Sequence, residues 1–152
     1  MQFILDTNVV ILAIKNSAFS RYFDETYLHD STKTFYLSVV SVGEIASIAR
    51  QNKWGSQKLK DLSLFLNKMI ILSLDKRTYV DAYAFVETYS QGKLEGLPLP
   101  AGLTPRNMGK NDLWIAAFAK VLGATLITTD KDFNHLQPHI ISVDYIEVQN
   151  FK

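Results

Sequence analysis

The sequence has no cysteine among its 152 residues, which excludes disulfide bonds, thiolate metal ligands and cysteine nucleophiles. It also lacks any apolar run approaching the roughly 20 residues that a transmembrane helix needs. No basic segment precedes the first apolar stretch, and Asp6 interrupts that stretch too early for a signal peptide. We therefore expect a soluble, cytoplasmic protein with no membrane segment.

An excess of positive charge is also absent. Sixteen Lys and Arg residues face fifteen Asp and Glu residues, so the formal net charge is +1. Net charge therefore does not indicate nucleic-acid binding, although a local basic cluster remains compatible with it. Neither a G-x-x-x-x-G-K-[ST] loop nor a G-x-G-x-x-G turn follows a predicted strand, which argues against those two modes of nucleotide binding.

The hydrophobic residues, 47% of the chain, are arranged as short apolar runs that alternate with longer segments of helical periodicity. The runs predicted as strands are "QFIL", "TFYLSVV", "IILSL", "ATLITT" and "HIISVD". Strands separated by helices predict an α/β fold with a parallel sheet and helices on both faces. At this length we expect one domain, residues 1–152, into which a Gly- and Pro-rich loop is inserted at about 92–110.

Carboxylates follow several of the predicted strands. Asp6 ends the first strand, Glu44 lies shortly after the second, and Asp130 and Asp132 follow the fourth, while Asp112 begins the helix before it. In open α/β sheets, ligands bind at the carboxyl ends of the strands. These acids are therefore the candidate functional residues.

Each acid also has a structural explanation. Asp6 could cap a helix. Asp112 could be stabilised by the positive end of a helix dipole, and Asp130 with Asp132 could form a polar turn. The segment Ser41–Glu44 matches the S-x-x-E capping box. These explanations weaken if the acids converge, because two carboxylates about 6 Å apart repel by roughly 3 kcal/mol at an effective dielectric constant near 20. A divalent cation relieves such repulsion, and Mg²⁺ binds one or two carboxylates together with water and substrate phosphate.

Three sequence blocks make a family resemblance specific. In order along the chain they are "ILDTNVVI", "SVVSVGEI" and "NDLWIAAFAKVLGATLITTDKDF". They resemble the signature blocks of the PIN-domain family, and within it the VapC-type ribonuclease toxins of bacterial toxin–antitoxin pairs. The resemblance extends from residue 1 to about residue 146. It implies a three-layer α/β/α fold with a five-stranded parallel sheet.

The resemblance further implies metal-dependent hydrolysis of RNA phosphodiester bonds by a pocket of acids that holds Mg²⁺ or Mn²⁺. Matched by motif, the acids that hold the metal are Asp6, Glu44, Asp112 and Asp130, with Asp132 as an auxiliary. The neighbouring Thr7, Asn8 and Thr129 are expected to orient the carboxylates or bound waters. The family analogy also implies a homodimer and an antitoxin partner.

Two features leave the function open. The loop at 92–110 is longer than the corresponding connection in many small PIN domains, and its Arg106 and Lys110 are either RNA contacts or ordinary solvated cations.

The alternative to an enzyme is a non-catalytic PIN-like module that binds RNA or protein. None of His29, His135 and His139 lies in a matched block as a general base, so we expect them at the surface or in turns.

Overall fold

The computed structural model describes residues 1–152 and contains one five-stranded sheet. All strand pairings are parallel, and the spatial order is β3-β2-β1-β4-β5. The strands are β1 (Gln2–Leu5), β2 (Thr34–Ser38), β3 (Ile70–Leu72), β4 (Thr125–Thr128) and β5 (Ser142–Tyr145). The predicted five-stranded parallel sheet is therefore confirmed.

Helices connect the strands. The α-helices are α1 (Thr7–Lys15), α2 (Ser17–Phe23), α3 (Val39–Gln51), α4 (Ser56–Leu66), α5 (Arg77–Ser90) and α6 (Lys110–Leu122). A π-helical turn, Asp24–Leu28, extends α2, and two 3₁₀ turns occupy Lys131–Leu136 and Val148–Phe151. No helix combines the length and the apolar composition that crossing a membrane would require.

The sheet separates two hydrophobic cores, because successive side chains of a strand point to opposite faces. In β1, Phe3 and Leu5 pack with residues of α1 to α4, whereas Ile4 between them packs with residues of α5 and α6. This alternation explains why β1 is apolar throughout, as expected for a strand that is covered on both faces. The three-layer α/β/α arrangement is thus confirmed.

The bounds of four of the five predicted strands differ from the observed ones, and the second and the fifth strand show the physical reasons. The strand predicted as "TFYLSVV" ends at Ser38, and its last two residues, Val39 and Val40, begin α3 instead. Ser38 ends the strand because its Oγ accepts a hydrogen bond from the backbone N–H of Val40, which caps the helix. The last strand begins at Ser142, so the apolar residues before it do not belong to the sheet.

The relation between α5 and α6 sets the position of the inserted loop. Tyr79 packs on Phe118 and Tyr83 packs on Trp114, so the two helices run antiparallel. The end of α5 therefore lies beside the start of α6, and residues 91–109 connect them without a helix or strand. At the other end of α6, Gly123 adopts the left-handed conformation with φ of 62° that terminates the helix.

Candidate metal centre

Asp6 follows β1 and is almost completely buried, with 3% of its surface exposed. Its backbone occupies the N-cap position of α1, but its side chain makes no capping hydrogen bond. Instead, Oδ2 accepts a hydrogen bond of 2.7 Å from the hydroxyl of Thr128 at the end of β4. Burial raises the pKa of Asp6, the hydrogen bond from Thr128 lowers it, and the charge of Asp130 raises it. The side chain is therefore aimed at the end of the neighbouring strand and makes no capping hydrogen bond to its own helix.

A hydrogen-bonded chain of polar side chains joins three elements beside Asp6. The buried hydroxyl of Thr7 donates to Ser41 Oγ at 2.9 Å, and Asn111 Nδ2 donates to Thr7 Oγ1 at 3.2 Å. The chain ties α1 to α3 and to the first turn of α6. It leaves the buried Oδ1 of Asn111 without a hydrogen-bond partner.

The capping-box interpretation of Ser41 and Glu44 is wrong. The N-cap of α3 is Ser38, three residues earlier, so Ser41 already lies inside the helix. Ser41 is buried and accepts the hydrogen bond from Thr7, while Glu44 is exposed to solvent. The carboxylate of Glu44 therefore has no capping role that would account for it.

Asp112 lies in the first turn of α6 and shows the strongest electrostatic signal of the candidate acids. Burial, followed by the charges of four other carboxylates, raises its pKa to about 7. In decreasing order of effect, these carboxylates are Asp6, Asp130, Glu44 and Asp132. The fold therefore brings the other four acids within electrostatic range of Asp112, although most of them lie far from it in the sequence.

Asp130 and Asp132 keep part of the turn role that their sequence suggested. Asp130 Oδ1 accepts a hydrogen bond of 2.8 Å from the backbone N–H of Asp132 and caps the 3₁₀ turn that follows β4. The backbone N–H of Asp130 in turn donates to the hydroxyl of Thr128 at 2.9 Å. Thr128 thus links Asp6 to Asp130. The sequence motif had predicted Thr129 as the threonine that orients the carboxylates. Thr129 is half-buried and Asn8 is exposed, and neither side chain hydrogen-bonds to an acid.

The chemistry of this donor set fits a hard divalent cation. Its acids offer oxygen ligands, and the mutual repulsion that raises the pKa of Asp112 is the energy that a cation would relieve. The unpaired Oδ1 of Asn111, next to Asp112 in the chain, offers an acceptor for a cation-bound water. No group of three or more acidic or histidine side chains is close enough to ligate one ion directly. A site on these residues would therefore combine one or two carboxylates with water, the usual coordination of Mg²⁺.

The cations of the inserted loop differ in their contacts. Arg106 is partly exposed, and its Nη1 lies 3.9 Å from Asp132 Oδ1. Lys110 is the exposed first residue of α6 and forms no ion pair. Loop residue Arg106 therefore reaches the edge of the acidic cluster.

The histidines were expected at the surface or in turns, and His135 lies in the 3₁₀ turn Lys131–Leu136 but is buried rather than exposed. It is 1% exposed, and its Nε2 lies 2.7 Å from the hydroxyl of Ser90 at the end of α5. The signal that could have found it is the sequence "DFNHL", in which Phe133, His135 and Leu136 share one short turn and all are buried. His29 and His139 are exposed, as expected.

Comparisons with known proteins agree with this fold. A curated relative, "Ribonuclease VapC2" from Rickettsia felis, is 28% identical over 142 residues, which are 93% of this chain and 96% of that protein. Two solved structures also share the fold. The crystal structure of VapBC2 from Rickettsia felis bound to a promoter DNA fragment aligns with a TM-score of 0.71 at 23% identity, over 95% of this chain and 98% of that one. VapBC-1 from nontypeable Haemophilus influenzae aligns with a TM-score of 0.69 at 22% identity over the same shares.

The profile of the PIN domain family matches residues 3–137. This range contains every candidate acid from Asp6 to Asp132. The resemblance of the three sequence blocks is thereby confirmed, and the chain belongs to the PIN domain family.

Proposed function

We propose that this protein is a metal-dependent endoribonuclease that hydrolyses RNA phosphodiester bonds and is the toxin of a toxin–antitoxin pair. The observation that carries the proposal is the electrostatic coupling of Asp112 to four other acids. Carboxylates that repel one another at the carboxyl edge of a parallel sheet reduce apo stability, and a bound cation would offset that cost. The Rickettsia felis relative is a protein named as a ribonuclease, which supports the same activity for this chain.

In this proposal the four acids Asp6, Glu44, Asp112 and Asp130 would hold Mg²⁺ or Mn²⁺, one or two of them directly and the others through bound water, and Asp132 would assist. When bound, such a cation acts as a Lewis acid on the phosphate and lowers the pKa of its water. Thr128 fixes the carboxylate of Asp6 through its hydroxyl. Thr7 fixes Asn111 at the start of α6. These contacts hold the acids before substrate arrives, so little reorganisation is needed when RNA binds.

The same proposal includes an antitoxin partner, because the structural relatives are VapBC complexes. A groove of about 690 Å³ between α1, α2 and α4 is a surface that such a partner could occupy. Its lining combines apolar Ile14, Leu64 and Phe65 with charged residues of both signs, and it includes none of the candidate acids. A homodimer and a cytoplasmic location complete the proposal by analogy with the family.

The alternative is a PIN-like module that binds RNA or protein without cleavage. Loss of the acids would indicate such a module, whereas Asp6, Glu44, Asp112 and Asp130 are all present in this chain. The two candidates differ in one measurable respect, which is metal-dependent cleavage.

The test is incubation of a labelled structured RNA with the full chain in Mg²⁺, in Mn²⁺ and in EDTA. The nuclease proposal expects cleavage with metal, no cleavage in EDTA, and loss of cleavage in Asp112→Asn. Asp75→Asn is the matched control, because Asp75 is exposed, lies outside the acidic cluster and forms no ion pair. RNA binding without cleavage in either metal would reject the nuclease in favour of the binding module.

A further inference from the structure

The C-terminal half of the inserted loop is anchored to the end of α5 by a pair of hydrogen bonds. The backbone N–H of Arg106 donates to Ser90 O at 2.8 Å, and Ser90 Oγ donates to Arg106 O at 3.2 Å. Gly92 lies beneath this contact with φ of 70°, and a Cβ there would meet Pro105 at 3.2 Å and Leu99 at 3.4 Å. The loop is therefore packed against the helix at the position of Arg106.

The anchor extends into the core through His135. Ser90 is 1% exposed, and its hydroxyl lies 3.2 Å from the carbonyl oxygen of Arg106 and 2.7 Å from His135 Nε2. The second contact is a hydrogen bond that either neutral tautomer of His135 can make. Burial, reinforced by the charge of Arg106, lowers the pKa of His135 and is consistent with a neutral imidazole. The chain of contacts from His135 through Ser90 to Arg106 fixes the backbone that carries the guanidinium.

The guanidinium itself remains available. Its contact with Asp132 is 3.9 Å long and partly exposed, a geometry that contributes little stability. Arg106 also lines a concavity of about 190 Å³, whose other lining residues are polar or proline, with no acid among them. The lining residues are Gln91, Lys93, Pro105, Arg106 and Asn107. This volume is well above the ~10–15 Å³ that a single water requires, so the concavity admits a phosphodiester group.

We propose that this concavity, called here the loop pocket, binds a non-scissile backbone phosphate of single-stranded RNA beside the acidic cluster. Arg106 and Lys93 supply the charge, and the amides of Gln91 and Asn107 donate to phosphate oxygens. Ser90 and His135 are positioning residues that hold Arg106 at the rim. The proposal rests on the proposed function for its choice of RNA. It also explains how a chain with a net charge of +1 retains a polyanion next to carboxylates.

The experiment measures binding separately from cleavage. Fluorescence anisotropy of a 5′-labelled single-stranded RNA is recorded with the full chain in EDTA between 50 and 200 mM KCl. Loss of one phosphate contact to a single strand reduces the magnitude of the slope of log K against the logarithm of the salt concentration by about 0.7. Near 0.1 M salt, this change corresponds to about a fivefold loss of affinity. We expect that change for Arg106→Gln and for Lys93→Gln. Arg77→Gln is the matched control, because Arg77 is exposed at the opposite end of α5.

The positioning role has its own pair of variants. His135→Gln keeps an amide that can hydrogen-bond to Ser90, whereas His135→Leu removes the hydrogen-bonding partner. We expect RNA affinity close to that of the wild type in the first variant and a loss of about fivefold in the second. Circular dichroism identifies folded samples, and Ser90→Ala replaces His135→Leu if the latter does not fold.

Wild-type affinity and slope in both Arg106→Gln and Lys93→Gln would overturn the loop pocket, as would failure of the wild type to bind RNA at any salt concentration. The loop pocket would also be overturned if the Arg106→Gln and Lys93→Gln variants bound a poly-glutamate peptide more weakly than the wild type but bound RNA equally well, because the pocket would then recognise protein. Slope changes in a protein that never cleaves RNA support the pocket while rejecting the nuclease. Cleavage with salt-insensitive variants rejects the pocket while retaining the nuclease.

Discussion

Replacing Asp112 with asparagine should stabilise the metal-free protein at alkaline pH. The pKa of Asp112 is raised from 3.8 to about 7, first by burial and then by the other acids. A difference of roughly three pKa units corresponds to at most about 4 kcal/mol, at 1.36 kcal/mol per unit. Because the carboxyl is only partly buried, screening by solvent reduces this figure, and we expect a gain of about 1–2 kcal/mol.

The sign follows from proton binding. The folded chain holds the Asp112 proton more tightly than the unfolded chain, so stability falls as pH rises from about 4 through about 7. The penalty is complete at pH 8 and nearly absent at pH 3, below the ordinary pKa of 3.8. Asp112→Asn removes it, so the variant should exceed the wild type in free energy of unfolding at pH 8 and match it at pH 3.

Urea denaturation in EDTA, followed by tryptophan fluorescence, measures this difference at both pH values. The control is Asp75→Asn, which removes an exposed carboxylate with no ion pair and should change stability little. Addition of Mn²⁺ should reverse the order, because the wild type gains binding free energy that the variant lacks. If Asp112→Asn is less stable than the wild type in EDTA at pH 8, the carboxylate is a structural group and the repulsion argument fails.

The remaining predictions concern the residues around the centre. Thr128→Val removes the donor to Asp6 and should cost about 2–3 kcal/mol in urea denaturation, with Thr128→Ser near wild type; equal stability of both variants would contradict the hydrogen bond. Asp6→Asn should preserve or raise the melting temperature of the metal-free protein while weakening metal binding by calorimetry, and a loss of a couple of kcal/mol would identify Asp6 as a structural residue. Gly123→Ala should reduce stability by about 1 kcal/mol, because φ at this position is 62°. Gly43→Ala within α3 should leave stability unchanged or raise it by up to about 1 kcal/mol. Similar changes in melting temperature for the two variants would refute this conformational reasoning. Burial lowers the pKa of His135, so as the pH falls below about 6.5 the imidazole binds a proton in the unfolded chain before it does so in the folded chain. The wild type should therefore lose stability relative to His135→Gln between pH 7 and pH 5. Identical pH profiles of the two proteins in urea denaturation would show that His135 is not buried in its neutral form.

Much of the fold could be read from local pattern. Short apolar runs separated by helical periodicity indicated five parallel strands, and they form the observed sheet. Helical spacing also places apolar residues of α4 on one face, where Leu62 and Phe65 are buried in the core. Leu59, in the first turn of the same helix, is 47% exposed.

The ends of elements were less predictable, because a hydrogen bond to a single side chain can decide them. Val39 and Val40 have the β-branched side chains of a strand, yet they begin α3. The hydroxyl of Ser38 caps the helix at that point, and this local bond outweighs the strand preference of the two valines.

The sequence by itself determined which residues are apolar, where strands can form, and that carboxylates follow several of them. It could not determine which of Thr128 and Thr129 faces Asp6, because adjacent residues of a strand point to opposite faces and the choice depends on register. Pairing of Leu5 with Ile127 brings the residues that follow them, Asp6 and Thr128, side by side. Only the tertiary structure could place Ser90 against His135, 45 residues away, since that contact depends on α5 and α6 running antiparallel beside the sheet. Contacts between distant segments depend on how whole elements pack, and no local pattern in either segment encodes them.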